Sequence, residues 1–325
     1  MQITIEKVAF PMAAPFAITG HVFESSETLR VTVSKDGVSG RGEALGAYYL
    51  GESADSMAAQ LEAVTGSLTG DLSTESIQHL LPAGGARNAL DCAFWDYRAK
   101  AAGKRIWELL SITPRQLTTV YTLGVAPAEV MGERAREARQ FANLKIKLDA
   151  SDPIARLEAI RAARPDARLI VDVNQGWDFA ALGEYLPHAA RLGIAMIEQP
   201  LPRGEDEALE GFKSPVPLGA DESCLHLGEF ATAARRYDVL NIKLDKCGGL
   251  TEGLALVDAA RKAGMDLMVG NMCGSSLSMA PSYVIGQFCQ YVDIDGPLLL
   301  KSDIEHGLVY GEGGVVGLPE PALWG

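Results

Sequence analysis

Three acids and three lysines carry the chemistry open to this sequence. Asp172, Glu198 and Asp221 each close a short apolar run, in Val171-Asp172-Val173-Asn174, Ile197-Glu198-Gln199-Pro200 and Ala220-Asp221-Glu222-Ser223. Lys145 and Lys147 close Leu144-Lys145-Ile146-Lys147 upstream, and Lys243 closes Asn241-Ile242-Lys243 downstream. Three carboxylates at neighbouring strand ends repel one another unless a cation neutralises them. Oxygen-only ligation without His or Cys points to Mg2+, with Mn2+ as the alternative, rather than zinc. A lysine beside a divalent cation is disfavoured as an ammonium, so its pKa falls toward the range useful for proton transfer. The chemistry these residues predict is removal of a proton next to a carboxylate, where nearby cations stabilise the charge that develops. Taken singly, each acid reads as a salt-bridged strand end and each lysine as a snorkelling surface charge. Their joint register favours the catalytic reading.

Such residues need elements that aim them at one point. From about Leu117 onward, short apolar runs alternate with alanine-rich amphipathic stretches. The runs are Thr118–Val125, Leu144–Leu148, Leu169–Val173, Ala195–Ile197, Val216–Ala220, Val239–Leu244, Leu267–Gly270 and Tyr291–Ile294. That rhythm predicts eight parallel strands, most separated by helices, closed into a barrel. After Asp295 the chain turns Gly/Pro-rich without an eighth helix, so the expectation is an α/β protein with a (β/α)7β barrel, a modified TIM barrel. C-terminal strand ends of a barrel converge on one mouth. Alternation along the second strand is read as sending Lys145 and Lys147 to opposite faces, with strand twist bringing both to the mouth.

The first third reads differently. Ile3–Phe10, Glu27–Ser34 and Gly40–Ala44 are strand-like, and Lys35-Asp36-Gly37 joins the latter two as a hairpin. Ser53 can cap a helix over Ala54–Thr65, and Ala86 to Ala102 forms another, ended by Gly103. The expected division is 1–112 as an α+β capping domain, 113–300 as the barrel, and 301–325 as a segment returning to the cap.

Composition narrows the function classes. A formal charge of −13 argues against nucleic acid and anionic membrane as partners. No apolar run approaches a membrane span, and the start alternates like a strand rather than a signal peptide. The five cysteines contain no CxxC pair, which suits reduced thiols in a cytoplasmic protein. The expected partner is a small molecule, and assembly into a homo-oligomer is compatible with the composition.

The quoted segments, in this order, resemble the enolase superfamily, muconate-lactonizing subgroup, over essentially the whole chain. Asp293-Ile294-Asp295-Gly296-Pro297 and Ala86-Arg87-Asn88-Ala89-Leu90-Asp91 narrow the likeness to the dipeptide epimerases, typified by L-Ala-D/L-Glu epimerase. The resemblance implies Mg2+ held by Asp172, Glu198 and Asp221, and Lys147 and Lys243 as the two acid/base groups on opposite faces of the α-carbon. It implies that Lys243 serves the L substrate and Lys147 the D epimer, with Lys145 lending charge to the enolate oxygen. It implies a pair, Asp293 and Asp295, that binds the free ammonium of an L-Ala-Xaa dipeptide. No histidine falls at a strand end, which disfavours the mandelate-racemase type with its His base.

Other polar candidates are Thr122, near the end of the first barrel strand, and Gly274-Ser275-Ser276, as much a solvated turn as a ligand contact. In the Ala-Glu epimerases an arginine after the first strand meets the glutamate side chain. Here Pro15 to Ser26 holds no Arg or Lys, leaving His21 as a poor substitute and Glu24 as its only strong charge. Glutamate is retained as the default second residue, with neutral and basic residues as contenders. The rival activities on this scaffold are o-succinylbenzoate synthase and muconate cycloisomerase. A Schiff-base aldolase needs only one lysine and leaves the acids unexplained, and a non-enzymatic binding module leaves every proposed catalytic position unexplained.

Overall fold

The structure is a computed structural model that describes residues 1–18, 21–66 and 72–325. It opens with an antiparallel sheet of three strands, β1 (Gln2–Ile18), β2 (His21–Lys35) and β3 (Val38–Leu45), in the order β1-β2-β3. Lys35 pairs with Val38 across a two-residue turn whose Asp36 and Gly37 both have positive φ, as the Asp-Gly signal predicts. Helix α1 (Ala54–Thr65) begins in a capping box on Ser53. Helix α2 (Thr74–Leu80) follows, and then α3 (Gly85–Ala101), which lies directly on β3. A Cβ at Gly40 or Gly42 would run into the α3 backbone at Tyr97, Ala93 and Ala89. The close approach of helix to strand therefore depends on two glycines.

β1 and β2 are far longer than their apolar cores suggest. Beyond a register shift between Pro11 and Phe16, Phe16 pairs with Phe23, Ala17 with Val22 and Ile18 with His21. Pro15 to Ser26, outside the strands expected at Ile3–Phe10 and Glu27–Ser34, is thus a hairpin arm, although Thr19 and Gly20 lie outside the described residues. Its own residues explain the extension: Phe16 and Ile18 are buried with Phe10, Met12, Leu299 and Leu300, giving the arm a small core. Val125 N–H also donates to Ala17 O, which ties the arm to the barrel rim.

Eight parallel strands follow in sequence order: Val120–Leu123, Asn143–Lys147, Arg168–Asp172, Ile194–Glu198, Leu218–Ala220, Val239–Ile242, Asp266–Val269 and Tyr291–Val292. No backbone ladder joins the eighth strand to the first. Side chains bridge that seam instead, with Ile294 N–H donating to Thr119 Oγ1 at 3.0 Å and Thr122 N–H to Asp295 Oδ2 at 2.7 Å. The barrel is therefore nearly closed. One expected helix is missing. Between strands four and five the chain makes only a short 3-10 turn, Glu207–Leu209, because Pro200, Pro202, Gly204, Pro215 and Pro217 leave no helical run. After strand eight comes a single turn, Gly296–Leu299.

Barrel residues alternate strictly. Leu144, Ile146, Leu169, Val171, Ile197 and Ile242 face outward into the main core under the helices. Val120, Ile170, Met196, Val239, Met268 and Tyr291 face inward and form an apolar plug. Two residues further along each strand, the inward position changes character, to Thr122, Asp172, Glu198, Asn241, Gly270 and Asp293. A side-chain period of two thus lifts the chemistry one step above the plug.

The C-terminal residues run back along the whole molecule. Val315–Val316 pairs with Leu117–Thr118, Lys301 N–H donates to Pro11 O, and Gly325 N–H donates to Asp96 Oδ1 on α3.

Candidate active site

Register places the key residues on one level. Lys147 is aligned with Asp172, and Asp172 with Glu198. Glu198 is aligned with Gly219, two residues before Asp221. Lys145 and Lys147 are two apart and so share the inward face, while Ile146 between them faces out. The expectation that they need strand twist to meet is corrected by the simple pleat. Lys243 stands across the barrel, one residue beyond strand six. Its neighbour Gly270 makes room for it: a Cβ there would approach Lys243 Cε to 2.9 Å and Asn241 Oδ1 to 2.6 Å.

All of these groups are buried, and they are interlocked. The Lys145 ammonium lies 2.7 Å from Asp293 Oδ2, 2.8 Å from Glu198 Oε2 and 3.1 Å from Asp172 Oδ2. Lys147 donates to Asp172 Oδ2 at 2.6 Å and to Asn174 Oδ1 at 3.0 Å. Lys243 donates to Asp221 Oδ2 at 2.6 Å. Asp221 Oδ1 is taken by Lys246 at 2.5 Å, and Lys246 also reaches the Asp221 backbone carbonyl at 2.5 Å. Lys246 and Asn241, which holds Glu198 Oε1 at 2.6 Å, belong to the site although the strand-end pattern did not single them out. The spacing Lys243-Leu244-Asp245-Lys246 could have done so, since one helical turn returns Lys246 to the same side.

Charge and burial pull these groups in opposite directions. Burial pushes the Glu198 carboxyl up, and the neighbouring Asp172 adds to it, to about 7. Burial also raises Asp172, but Lys147, Lys145 and Lys243 outweigh it and hold that carboxyl at about 2. Burial lowers the Lys145 ammonium, yet Asp293, Glu198 and Asp172 together hold it well above its ordinary value. Glu198 Oε2, although close to Lys145, receives no hydrogen bond of good geometry.

That surplus of carboxylate bears on a metal. Among the described residues, no three acid, imidazole or thiol groups already form a cation nest. The ammonium groups, Lys145 above all, stand among the acids as substitute cations. The donor set is oxygen-only, and one buried carboxylate oxygen lacks a hydrogen bond. Those two observations fit a hard divalent cation on Asp172, Glu198 and Asp221 once the lysines yield.

The remaining candidates separate. Asp293 and Asp295 lie in the turn after strand eight, which ends at Val292, rather than on the strand itself. Asp293 Oδ1 accepts from Asn271 Nδ2 at 2.9 Å, so both of its oxygens already have protein donors. Burial and Asp293 push Asp295 up to about 8. Thr122 is buried and serves through its backbone N–H to Asp295. His21 is exposed, stacks on Tyr48 at 5.0 Å, and lines an outer cleft rather than the cavity over the lysines. Ser275 and Ser276 are fully buried, the first as a helix cap and the second bonded to Asp303, so they form no solvated turn. None of the five histidines lines the lysine cavity.

That cavity, of about 70 Å3, is shared by Lys147 and Lys243. Its upper wall comes from the cap: Phe16, Ile18 and Phe23 of the arm, and Tyr48 and Tyr49 after β3. Barrel below and cap above enclose two opposed lysines.

Residues 1–111 match the family described as "Mandelate racemase / muconate lactonizing enzyme, N-terminal domain", and residues 130–321 match "Enolase C-terminal domain-like". The chain belongs to the enolase superfamily. Among curated relatives, an N-acetyl-D-glutamate racemase from a Pseudoalteromonas species is 43% identical, covering 80% of this chain and 82% of the relative. The L-Ala-D/L-Glu epimerase of Escherichia coli K12 is 38% identical, covering 96% and 98%. With curated epimerases as relatives over nearly its full length, this superfamily member is an isomerase. An Agrobacterium tumefaciens enolase family member, described with bound sodium and L-Ala-L-Glu, superposes with a TM-score of 0.96 at 40% identity, covering 99% of both chains. A dipeptide epimerase from Methylococcus capsulatus, complexed with Mg and L-Arg-D-Lys, superposes at 0.91 with 30% identity, covering 98% and 97%. No helix among the described residues is long and apolar enough to cross a membrane.

Proposed function

We propose that this isomerase epimerises the C-terminal residue of a dipeptide of the L-Ala-Xaa type, one of Lys147 and Lys243 removing the α-proton and the other delivering its own proton to the opposite face. The observation that carries the reading is that these two lysines, from opposite sides of the barrel, line one cavity. Either lysine takes the α-proton from its own face of the substrate once it is the free amine. The other, as the ammonium, returns a proton to the opposite face, which inverts the centre and leaves the enzyme's total proton count unchanged. Contrary to the fall expected of a lysine beside a cation, burial is outweighed here by Asp221, which holds the Lys243 ammonium well above its ordinary value, so a cation on Asp221 would have to relieve it. Lys145, buried among acids and held protonated, supplies fixed positive charge next to the carboxylate whose oxygen gains electron density in the enolate. Asp172, Glu198 and Asp221 would hold Mg2+, or Mn2+, which would supply further charge for that oxygen. Asp293 and Asp295 would receive the substrate's free ammonium.

One observation favours a second reading. Asp293 and Asp295 already have protein donors in Lys145, Asn271 and Thr122. An N-acetylated amino acid needs no ammonium partner, and the Pseudoalteromonas relative carries the name of such a racemase. The proton chemistry is the same. Incubating L-Ala-L-Glu and N-acetyl-L-glutamate separately in deuterium oxide with Mg2+ tests both readings by mass spectrometry. α-Deuteration with formation of the D epimer is expected for the dipeptide. Exchange of the N-acetyl compound alone would replace the dipeptide reading, and exchange of neither would overturn the reaction.

A further inference from the structure

The opening turns of α3, Ala86-Arg87-Asn88-Ala89-Leu90-Asp91, grip the barrel just past Lys243. Arg87, Asn88 and Asp91 are buried and share one side of the helix. Asn88 Nδ2 donates to Asp245 Oδ1 at 3.0 Å, two residues beyond Lys243. Arg87 donates to the carbonyl oxygens of Cys247 at 2.6 Å and Gly248 at 3.1 Å, and it is ion-paired with Glu252. Asp91 Oδ2 accepts from Thr251 N–H at 2.9 Å. The fit is close: a Cβ at Gly248 would come within 2.3 Å of Arg87 Nε, and one at Gly249 within 2.5 Å of Asp91 Oδ2.

The gripped segment is the one from which Lys243 reaches the cavity. Leu244–Cys247 is a single helical turn, and the Lys243 carbonyl accepts from the N–H groups of Lys246 and Cys247 at 3.0 and 3.1 Å. Lys147 lies inside its strand, paired in register with Asp172. Lys243 instead lies one residue past the end of strand six, where ladder pairing with strand seven has stopped at Ile242. What the ladder does for Lys147, the turn must do for Lys243. Asp245 Oδ1 also accepts from Leu45 N–H at 2.9 Å, and Leu45 lines the cavity, so one carboxylate sets the turn against the roof.

We propose that Asn88 is a positioning residue for Lys243: through Asp245 it fixes the turn that aims this lysine, and it has no such hold on Lys147. Arg87 and Asp91 secure the far end of the same turn. Contacts of this kind act from a distance, and a misplacement of about 1 Å costs on the order of a hundredfold in rate.

The proposal rests on the two-lysine reading of the reaction, and the test keeps the two apart. Asn88→Ala is made in two backgrounds of the full-length protein. In Lys147→Ala only Lys243 can exchange the α-proton, and in Lys243→Ala only Lys147 can. Entry of solvent deuterium into L-Ala-L-Glu and L-Ala-D-Glu, with Mg2+, is followed by chiral chromatography and mass detection. Asn88→Ala is expected to slow exchange by about tenfold or more where Lys243 works alone, and by less than about threefold where Lys147 does. Lys246, on the same turn, ties Asp221, so a slack turn also disturbs the acids. That loss reaches both lysine faces and cancels in the ratio. Asp245→Asn, which keeps an oxygen toward Asn88 and Leu45, should preserve the Lys243 rate to within about threefold. Asn88→Ser, whose hydroxyl falls one bond short of Asp245, takes the place of Asn88→Ala if circular dichroism finds the latter unfolded. Equal or reversed losses in the two backgrounds, or no loss in either, would overturn the positioning role and leave the reaction standing. A loss in Asp245→Asn as large as that in Asn88→Ala would overturn it as well. Exchange in neither background before Asn88 is changed would overturn the two-lysine reaction and the positioning role together.

Discussion

The floor and the roof of the lysine cavity are built on opposite principles. On the barrel floor, each reactive group is fixed by strand register and then by at least one charged neighbour: Lys147 by Asp172, Lys243 by Asp221, Lys145 by three acids. On the cap roof, the wall is aromatic, held by ring contacts such as Phe23 on Tyr48 at 5.5 Å, and it leaves the Tyr49 hydroxyl unpaired. The floor is a set of paired charges, whereas the roof is a set of apolar contacts with a spare polar atom, and both line the same cavity. The two parts of the chain are joined by α3, whose Asn88 and Asp91 bond to Asp245 and Thr251 beyond Lys243.

The comparison breaks most visibly at the floor. Lys147→Ala or Lys243→Ala is expected to lower epimerisation by on the order of 10^3-fold or more, since loss of a positioned acid or base costs about 10^2 to 10^4. Each variant should still wash deuterium into one epimer from the face that keeps its lysine. Chiral chromatography with mass detection reads both outcomes. Ordinary epimerisation by either variant would show that the floor does not hold two bases.

A second effect tests how the floor is held. Lys246 is 2% exposed and ties Asp221 to the carbonyls of Asn241 and Cys224. Lys246→Met is expected to cost about 3–5 kcal/mol in urea unfolding, as removing one partner of a buried pair does, and to weaken Mg2+ binding in calorimetric titration. A variant as stable as the parent, with unchanged Mg2+ affinity, would mean Asp221 needs no such clamp.

How legible these two regions were follows from the same division. The floor repeats every strand, so a period of two and a terminal charge marked Asp172, Glu198, Asp221, Lys145, Lys147 and Lys243 as strand-end residues without any knowledge of contacts. Lys145 and Lys147 were set on opposite faces only because their spacing of two was misapplied. The roof has no period. Tyr48-Tyr49-Leu50 is a short turn whose fellow cavity-lining residues, Glu222 and Lys243, lie far away in sequence, so nothing local announces it. The arm was missed because Pro11 and Pro15 interrupt the alternation on which strand recognition depends, while the burial of Phe16 and Ile18 that extends the pairing is tertiary.

The seam between floor and roof should respond to pH. Burial raises the Asp91 carboxyl to about 6, although Thr251 bonds to it and opposes the shift. The folded state therefore holds this proton more tightly than the unfolded chain does. Its stabilising contribution is complete below about pH 4 and is lost as pH rises through about 6, on the order of 1 kcal/mol for each unit crossed. Asp91→Asn removes the titration, so the stability of the parent relative to the variant should fall between pH 4 and about 6.5. Thermal unfolding across that range measures it. A constant difference would show that Asp91 does not change charge there.

The smallest effect belongs to the arm's outer surface. His21 stacks on Tyr48 and meets Phe23 at 4.4 Å, but it is exposed and faces the outer cleft. A ring contact of this kind contributes about 0.5–1.5 kcal/mol when fully formed, and exposure reduces it. His21→Ala is therefore expected to change kcat/KM for L-Ala-L-Glu by less than about threefold, corresponding to some 0.6 kcal/mol. Phe23→Ala, one ring deeper in the cavity wall, should do more, because it opens the roof over Lys243 as well as removing contact. If His21→Ala instead lowers kcat/KM for L-Ala-L-Glu by a hundredfold while sparing L-Ala-L-Leu, the imidazole reaches a carboxylate tip. The arm would then supply the charge for selectivity that its missing arginine does not.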